Sequence, residues 1–267
     1  MTEDSRQQTV KRRGIAATAL LSSDKTTSHS TRMIKSIIQV AGYALCFLSS
    51  ALAAPPSSVQ ATYDVYKGSL RIAQIEETYT RNKDRYTLSS TMRAVGLLAI
   101  FKPGKIFISS NGLVGAKGLQ PLRYSDQREG DENRNSSAEF DWNARQLTLI
   151  HNEQRSILPL PDGTQDRLSA MYQFMFLSLE KTGTLNFHMT NGSKLDIYNY
   201  RITPGQSVTV PLGTFKGLYV ASVPEADANR TEIWLAGEHF NFPYKLVITD
   251  RNGDKLSQVL TKFDSVP

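Results

Sequence analysis

The chain has 267 residues, of which 31 are basic and 25 acidic, and its formal net charge is +6. Seven basic and three acidic residues lie in the first 53 positions, so residues 54–267 carry 24 basic and 22 acidic residues. A nearly neutral domain has no basic surplus of the kind that nucleic-acid binding requires, and we expect no nucleic-acid partner.

Residues 1–32 are polar, rich in serine and threonine, and without a periodic apolar pattern. They precede a segment that normally begins a protein, so we interpret them as an over-long N-terminal extension, with Met33 as the initiator. A second interpretation is a twin-arginine export signal at residues 11–14, although the apolar run after it is short.

Residues 33–53 have the three parts of a secretory signal peptide: a basic start, an apolar run at 37–48 and small residues at 51–53. The apolar run is too short for a membrane span, which needs about 20 residues. We therefore predict cleavage before Ala54 and a periplasmic location; an uncleaved anchor is the alternative. Large Leu45 before Cys46 argues against a lipoprotein site, so Cys46 leaves with the signal and the mature chain has no disulfide.

Residues 54–267 have the length and pattern of a single β-rich domain, in which short strands alternate with turn residues. Turns are predicted at residues 67–69, 82–84, 111–112 and 143–145. The predicted strands cover residues 62–67, 70–80, 85–93, 105–110, 137–142, 146–152, 154–158, 185–190, 194–202, 207–210, 217–223, 230–236, 244–250 and 255–263.

Residues 95–101 form a short apolar run between two predicted strands. The run is either a cap over the open end of the sheet, which would make it part of the core, or an exposed contact site for lipid or a partner. We favour the cap.

Residues 168–179 contain no helix breaker, and their apolar side chains recur at helical spacing around most of the circumference. We predict one buried helix with Thr164 as its N-cap. The fold class that follows is mainly β: a curved antiparallel sheet or half-barrel of about a dozen strands, wrapped around one apolar helix. The candidate residues for an apolar ligand between helix and sheet are Leu168, Met171, Tyr172, Phe174, Met175 and Trp234.

Asn252-Gly253 is the preferred sequence of a two-residue hairpin turn. It predicts a hairpin in which Asp250 pairs with Lys255, Ile248 with Ser257 and Leu246 with Val259.

Residue patterns of catalysis and metal binding are missing from the mature sequence. His151, His188 and His239 are widely spaced, so we predict no metal site and no cofactor. Glu76 and Glu77 are neighbours on a strand, where side chains point to opposite faces, and do not form an acid–base pair. We predict no catalytic residues and favour a protein that is not an enzyme, while a carboxylate pair from distant strands stays open.

Residues 165–172, Gln-Asp-Arg-Leu-Ser-Ala-Met-Tyr, resemble the Gln-Asp-x-Leu-Ser-x-x-Tyr helix start of an exported bacterial family, domain of unknown function 3108. Residues 230–235, 243–246 and Asn252-Gly253 resemble its C-terminal signature, and residues 118–124 fit its middle. The resemblance covers most of residues 59–264, and the order of the motifs is what makes it specific. It implies a signal peptide, an envelope location and a β-rich fold, and it supplies no catalytic residues. The architecture also resembles the lipoprotein-carrier type of half-barrel.

Three functions fit these patterns. The first is a non-catalytic periplasmic protein that holds an apolar ligand, such as an acyl chain or lipid, between sheet and helix. The second is a structural or interaction protein of the envelope, with an envelope protein as its partner. The third is a hydrolase that acts on the cell wall or on glycan.

Overall fold

The computed structural model describes residues 55–101, 104–179, 183–224 and 228–267. The predicted extension at 1–32, the signal peptide at 33–53 and Cys46 lie outside the described residues. No helix in the described part of the chain is long and apolar enough to cross a membrane.

Fifteen strands make up most of the described chain. They are β1 (Ser58–Lys67), β2 (Leu70–Asn82), β3 (Arg85–Ala94), β4 (Lys105–Gly115), β5 (Gly118–Arg128), β6 (Ser136–Asp141), β7 (Gln146–His151), β8 (Gln154–Pro159), β9 (Gln165–Asp166), β10 (Thr184–Thr190), β11 (Leu195–Val210), β12 (Gly213–Ser222), β13 (Arg230–Ala236), β14 (Phe242–Thr249) and β15 (Lys255–Val266). The helices are α1 (Leu98–Phe101), α2 (Ser169–Gln173) and the 3-10 turns Glu132–Arg134, Phe174–Phe176 and Gly237–His239.

All fifteen strands belong to one sheet, in the order β8-β7-β6-β5-β4-β3-β2-β1-β15-β14-β13-β12-β11-β10-β9. Neighbouring strands pair antiparallel, apart from the short parallel pair of β9 and β10. Because β8 and β9 are edges, the sheet does not close into a barrel. The predicted mainly β fold with a large curved sheet is confirmed, with more strands than predicted.

Local sequence explains most of the hairpins. Gly68 and Lys83 adopt positive φ, of 60° and 57°, in the predicted turns that follow β1 and β2. The turn predicted at Asn111-Gly112 is wrong. Gly112 lies inside β4 opposite Pro121, next to a register shift, and the chain turns only after Gly115.

The sheet has an inner face and an outer face. Alternate residues of β1 are buried on the inner face, beginning with Val59 and ending with Val65. Connections that follow β1, β3 and β14 meet at one end of the sheet, which we call the loop end. The opposite end, near Ser58 and Val266, is the terminal end.

Residues 165–179, which we call the insert, lie against the inner face. The predicted helix is shorter than expected: α2 ends at Gln173, and Leu177 is already extended. The extended backbone places Leu179 in the core and leads the chain back toward β10. Thr164 is not the N-cap, because its hydroxyl donates to the Pro161 carbonyl while the next two residues form β9.

The insert joins two apolar clusters. In the first, Tyr172 stacks on Tyr79 with ring centroids 5.6 Å apart and meets Phe242 edge-on at 5.4 Å. In the second, Phe174 meets Phe187 edge-on at 5.8 Å. These buried rings fix the insert to both halves of the curved sheet.

Residues 95–101 do not cap the sheet, so the favoured interpretation is wrong. Leu97 is 77% exposed, Ile100 72% and Phe101 79%, because no described element packs over α1. The segment is exposed, which is the part of the alternative that the structure tests.

The last hairpin forms, but its predicted pairing is wrong by one residue. Ile248 pairs with Leu256 and Lys245 with Val259. The Asp250 carboxylate accepts hydrogen bonds from the backbone N–H groups of Asn252 and Asp254, both at 2.9 Å. These bonds stabilise a longer loop than a two-residue turn, and the longer loop changes the register.

Gly217 is required by the close approach of β12 and β13. A Cβ at this position would overlap the backbone carbonyl oxygen of Leu235, which has no freedom to move. We expect Gly217→Ala to lower the free energy of unfolding by about 1–3 kcal/mol, measured by urea denaturation. Gly115→Ala is the matched control, since a Cβ there meets nothing within 4 Å. Equal stability of the two variants would contradict this account.

Candidate functional site

The insert is held by side-chain amides at the start of β5. Gln173 accepts a hydrogen bond from the Leu119 N–H and donates to the Lys117 carbonyl, both at 2.7 Å. Gln165 donates to the Leu119 carbonyl at 2.8 Å. Backbone groups that no neighbouring strand satisfies are thus bonded by the insert.

Asp166 is a buried carboxylate that begins α2. Its Oδ1 accepts from the N–H groups of Leu168 and Ser169, at 2.9 and 2.7 Å, which gives the helix the cap that Thr164 does not provide. Its Oδ2 accepts from the Ser110 hydroxyl at 2.5 Å, which joins the helix start to β4. Burial raises the pKa of Asp166 to about 6, although these hydrogen bonds favour the charged form.

Glu77 is a half-buried carboxylate of β2 on the inner face. It accepts hydrogen bonds from the Tyr172 hydroxyl at 3.1 Å and from the Ser90 hydroxyl at 3.2 Å. Burial raises the pKa of Glu77 to about 7, against the opposing effects of these bonds and of the nearby Arg167 guanidinium. Glu76 points to the other face and pairs with Arg93 at 3.1 Å, as the alternation predicts.

Three residues of β5 continue the polar surface along the inner face: Tyr124, Asp126 and Arg128. The Asp126 Oδ2 lies 3.0 Å from the Arg128 guanidinium and 3.4 Å from that of Arg167. The Tyr124 hydroxyl, the Asp126 Oδ1 and the Arg128 Nε are buried without a hydrogen-bond partner among the described residues. This strip therefore keeps capacity to bind water or a polar group.

Apolar side chains on the inner face stay partly exposed toward the loop end. Ile108 pairs with Ser90, the residue bonded to Glu77, and Met92 lies two positions further along the same face. Met171 of α2 is also partly exposed and contacts both apolar clusters. We call Glu77, Met92, Ile108, Arg167 and Met171 the mouth. Its three apolar members are partly exposed, and Arg167 adds an exposed guanidinium.

The structure brings together five of the six predicted ligand residues. Leu168, Tyr172, Phe174 and Met175 are buried in the insert, while Met171 is partly exposed. Trp234 is apart from them, on the outer face. Its ring lies 5.0 Å from that of Tyr219, and the Lys245 ammonium lies 5.1 Å from its centre.

Sequence reasoning missed Glu77, Asp166 and Arg167 as parts of one site. The only local signal was Asp166 three residues before Ser169, a spacing that suits mutual capping, since Ser169 also donates its hydroxyl to the Asp166 carbonyl at 3.2 Å. The contacts with Ser90 and Ser110 depend on register between distant strands and leave no local pattern.

Two open depressions lie on the described surface, and neither includes any of the six predicted residues. One, of about 800 Å³, is lined by side chains that include Arg85, Arg123 and Trp142. The other, of about 830 Å³, adjoins Asp126 and Ile150. Within the described ranges, no group of three histidine, cysteine or acidic residues is placed to hold a metal ion.

Comparisons with known proteins agree with this fold. A family profile described as "Protein of unknown function (DUF3108)" matches residues 62–261. No curated protein matches the chain significantly. Among solved structures, the chain is similar to a β-barrel-like protein of domain of unknown function DUF1849 from Brucella abortus. The TM-score is 0.51 at 12% identity, over 80% of this chain and 100% of that one. At this identity, the likeness concerns the fold alone.

The raised pKa of Glu77 predicts how stability depends on pH. The ordinary pKa of 4.5 applies to the unfolded chain and about 7 to the folded one, so the folded state holds the proton more tightly. The free energy of unfolding that protonated Glu77 contributes is fully present below pH 4.5 and is lost as the pH rises to about 7. We expect Glu77→Gln to remove roughly 1–2 kcal/mol of this fall, allowing for partial solvent access.

Urea denaturation at several pH values between 4.5 and 8 measures this effect. Glu76→Gln is the control, because it removes a carboxylate one residue away on the exposed outer face. The raised pKa of Asp166 causes its own fall in stability, between its ordinary pKa of 3.8 and about pH 6. This fall should persist in both variants. An unchanged slope in Glu77→Gln would show that Glu77 is charged at low cost in the folded protein.

Proposed function

This chain belongs to the DUF3108 family of proteins of unknown function, and on that premise we propose that it is an exported protein of the cell envelope that binds an apolar ligand without catalysing a reaction. The ligand is an acyl chain or a lipid. The mouth is the observation that supports this proposal, since it presents apolar side chains and a basic group on an otherwise covered face.

The ligand in this proposal lies over Met171 and does not enter the insert. Tyr172 and Phe174 are fully buried against other rings, so the space between insert and sheet is filled by the protein's own side chains. Met171, Met92 and Ile108 are only partly covered. Methionine is unbranched and polarisable, which suits contact with a flexible acyl chain.

A polar head group on such a ligand has a partner at the edge of the mouth. The Arg167 side chain is 46% exposed and forms one long ion pair, at 3.4 Å, with Asp126. A guanidinium presents several donors in a plane and binds carboxylate or phosphate with two parallel bonds. A fatty acid or phospholipid therefore matches the mouth better than a neutral hydrocarbon.

The carboxylates of Glu77 and Asp166 have a structural role in this proposal. Each accepts hydrogen bonds that tie the insert to a strand, from Tyr172 in one case and from Ser110 in the other. These bonds to the protein's own hydroxyl groups are the observation that favours a structural role over proton transfer to a substrate.

Export is the part of the proposal that residues 33–53 support. We expect a C-terminally tagged chain to be recovered from the periplasm with Ala54 as its first residue, measured by N-terminal sequencing. Leu45→Arg interrupts the apolar run and should leave the chain unprocessed inside the cell. A wild-type chain that keeps its first 53 residues in the periplasm would contradict the predicted cleavage.

Ligand binding is tested with a fluorescent fatty acid and the exported chain. We expect saturable binding, and Met92→Gln with Met171→Gln should raise the Kd about tenfold, since each change replaces apolar contact with a polar amide of similar length. Ile157→Gln is the control, because Ile157 is 56% exposed on the edge strand β8. Absence of saturable binding, together with native mass spectra free of bound lipid, would overturn the proposal.

A further inference from the structure

The open depression that includes Trp142 has no part in the proposed lipid binding. Its volume is about 800 Å³, and its lining comes from six neighbouring strands, from Arg85 of β3 to Arg155 of β8. We call it the Trp142 depression. Sites for small molecules have volumes of about 300–1,000 Å³, so the depression is large enough to hold one.

A row of polar side chains crosses four strands within this depression. Asn111 of β4 pairs with Arg123 of β5, Arg123 with Glu139 of β6, and Glu139 with Thr148 of β7, and all four residues line the depression. Directly paired residues point to the same face of a sheet. Ser110 contacts the insert on the inner face, so its neighbour Asn111 and the rest of the row point to the outer face.

The row has hydrogen-bonding groups that the protein does not use. Arg123 and Glu139 are exposed, and in the described part of the chain they form neither an ion pair nor a side-chain hydrogen bond, although they are paired across β5 and β6. The charges of the lining are nearly balanced, with three arginines and two acidic residues: Arg85, Arg123, Arg155, Glu139 and Asp141. Such a lining offers donors and acceptors together and does not select an ion of either sign.

Trp142 adds an aromatic ring whose orientation is fixed. Its Nε1–H donates to the Pro121 carbonyl at 2.7 Å, and its ring stacks on that of Phe140 with centroids 6.1 Å apart. Pro121 lies opposite Gly112, beside the register shift between β4 and β5. The indole remains partly exposed. A ring held in this way loses little conformational entropy when a ligand packs on it.

We propose that the Trp142 depression binds a saccharide, with one sugar ring against the indole of Trp142 and its hydroxyl groups bonded to the row. Each sugar hydroxyl both donates and accepts hydrogen bonds, and the C–H face of the ring is apolar. Amide, guanidinium and carboxylate groups present two polar atoms in one plane, which match two neighbouring hydroxyl groups.

Other classes of ligand fit this lining less well. A simple anion would meet the carboxylates of Glu139 and Asp141 beside the arginines. An apolar ligand would displace water from five charged side chains without replacing its hydrogen bonds. A saccharide replaces these bonds with those of its own hydroxyl groups.

Saccharide binding at this depression goes beyond the proposed lipid binding and does not depend on it. Glu77 of the mouth accepts from Tyr172 of the insert and so lies on the inner face, whereas the row lies on the outer face. The two sites share no residue, so they can fail separately.

A glycan array that carries peptidoglycan fragments and lipopolysaccharide oligosaccharides, probed with the exported chain, tests the site. Titration calorimetry with a soluble glycan that binds on the array then gives the Kd. We expect Arg123→Ala with Glu139→Ala to raise this Kd at least about tenfold, because two partners of the sugar hydroxyls are lost. Glu76→Ala with Arg93→Ala is the matched control, since it removes the same residue types from the outer face outside the depression, and it should bind like the wild type.

Trp142 provides a second measurement. The chain has two tryptophans, so Trp234→Phe leaves Trp142 as the remaining one, and its emission should shift as the glycan displaces water from the indole. Equal melting temperatures establish that the variants are folded. An array without bound protein, unchanged affinity of the Arg123→Ala, Glu139→Ala variant, or an unchanged Trp142 emission with glycan bound would overturn the proposal. Fatty-acid binding by the same double variant separates this failure from failure of the mouth.

Discussion

An open sheet of fifteen strands has an inner face that must be covered. The insert covers it, and hydrogen bonds between the insert and the sheet hold the insert in place. The insert brings its own polar groups into the interior, where an unpaired one would cost free energy. Asp166 meets this constraint by accepting bonds from α2 and from Ser110, and Glu77 by accepting one from Tyr172. The pKa values of both carboxylates stay raised because these bonds offset only part of the cost of burial.

The short insert covers the inner face unevenly, so this face has two regions. Toward the terminal end, Tyr79, Tyr172 and Phe242 form a group of fully buried rings. Toward the loop end, Met92 and Ile108 are only partly covered. The first region gives stability through close packing, and the second is the region to which we propose that a ligand binds.

Local sequence predicts the parts of this fold that depend on neighbours in the chain. The bounds of β13, Arg230–Ala236, match the prediction at both ends, as does the turn at Gly68. Errors arise where distant residues decide. Pairing of Gln165 and Asp166 with β10 moves the helix start, and the Asp250 carboxylate lengthens a loop that Asn252-Gly253 alone would make tight.

The same distinction explains why the candidate site was only half predicted. An apolar pattern identified Met171, but the partners that surround it come from β2, β3 and β4 and share no motif. Residues 95–101 show the limit of pattern reasoning, since an apolar run is equally compatible with core and with surface. The exposure of Phe101 shows that this run lies at the surface. Met92 and residues 95–101 lie toward the loop end of the sheet, whereas Gln173 ties the insert to Lys117 and Leu119 at the opposite end, so the insert leaves the loop end less covered.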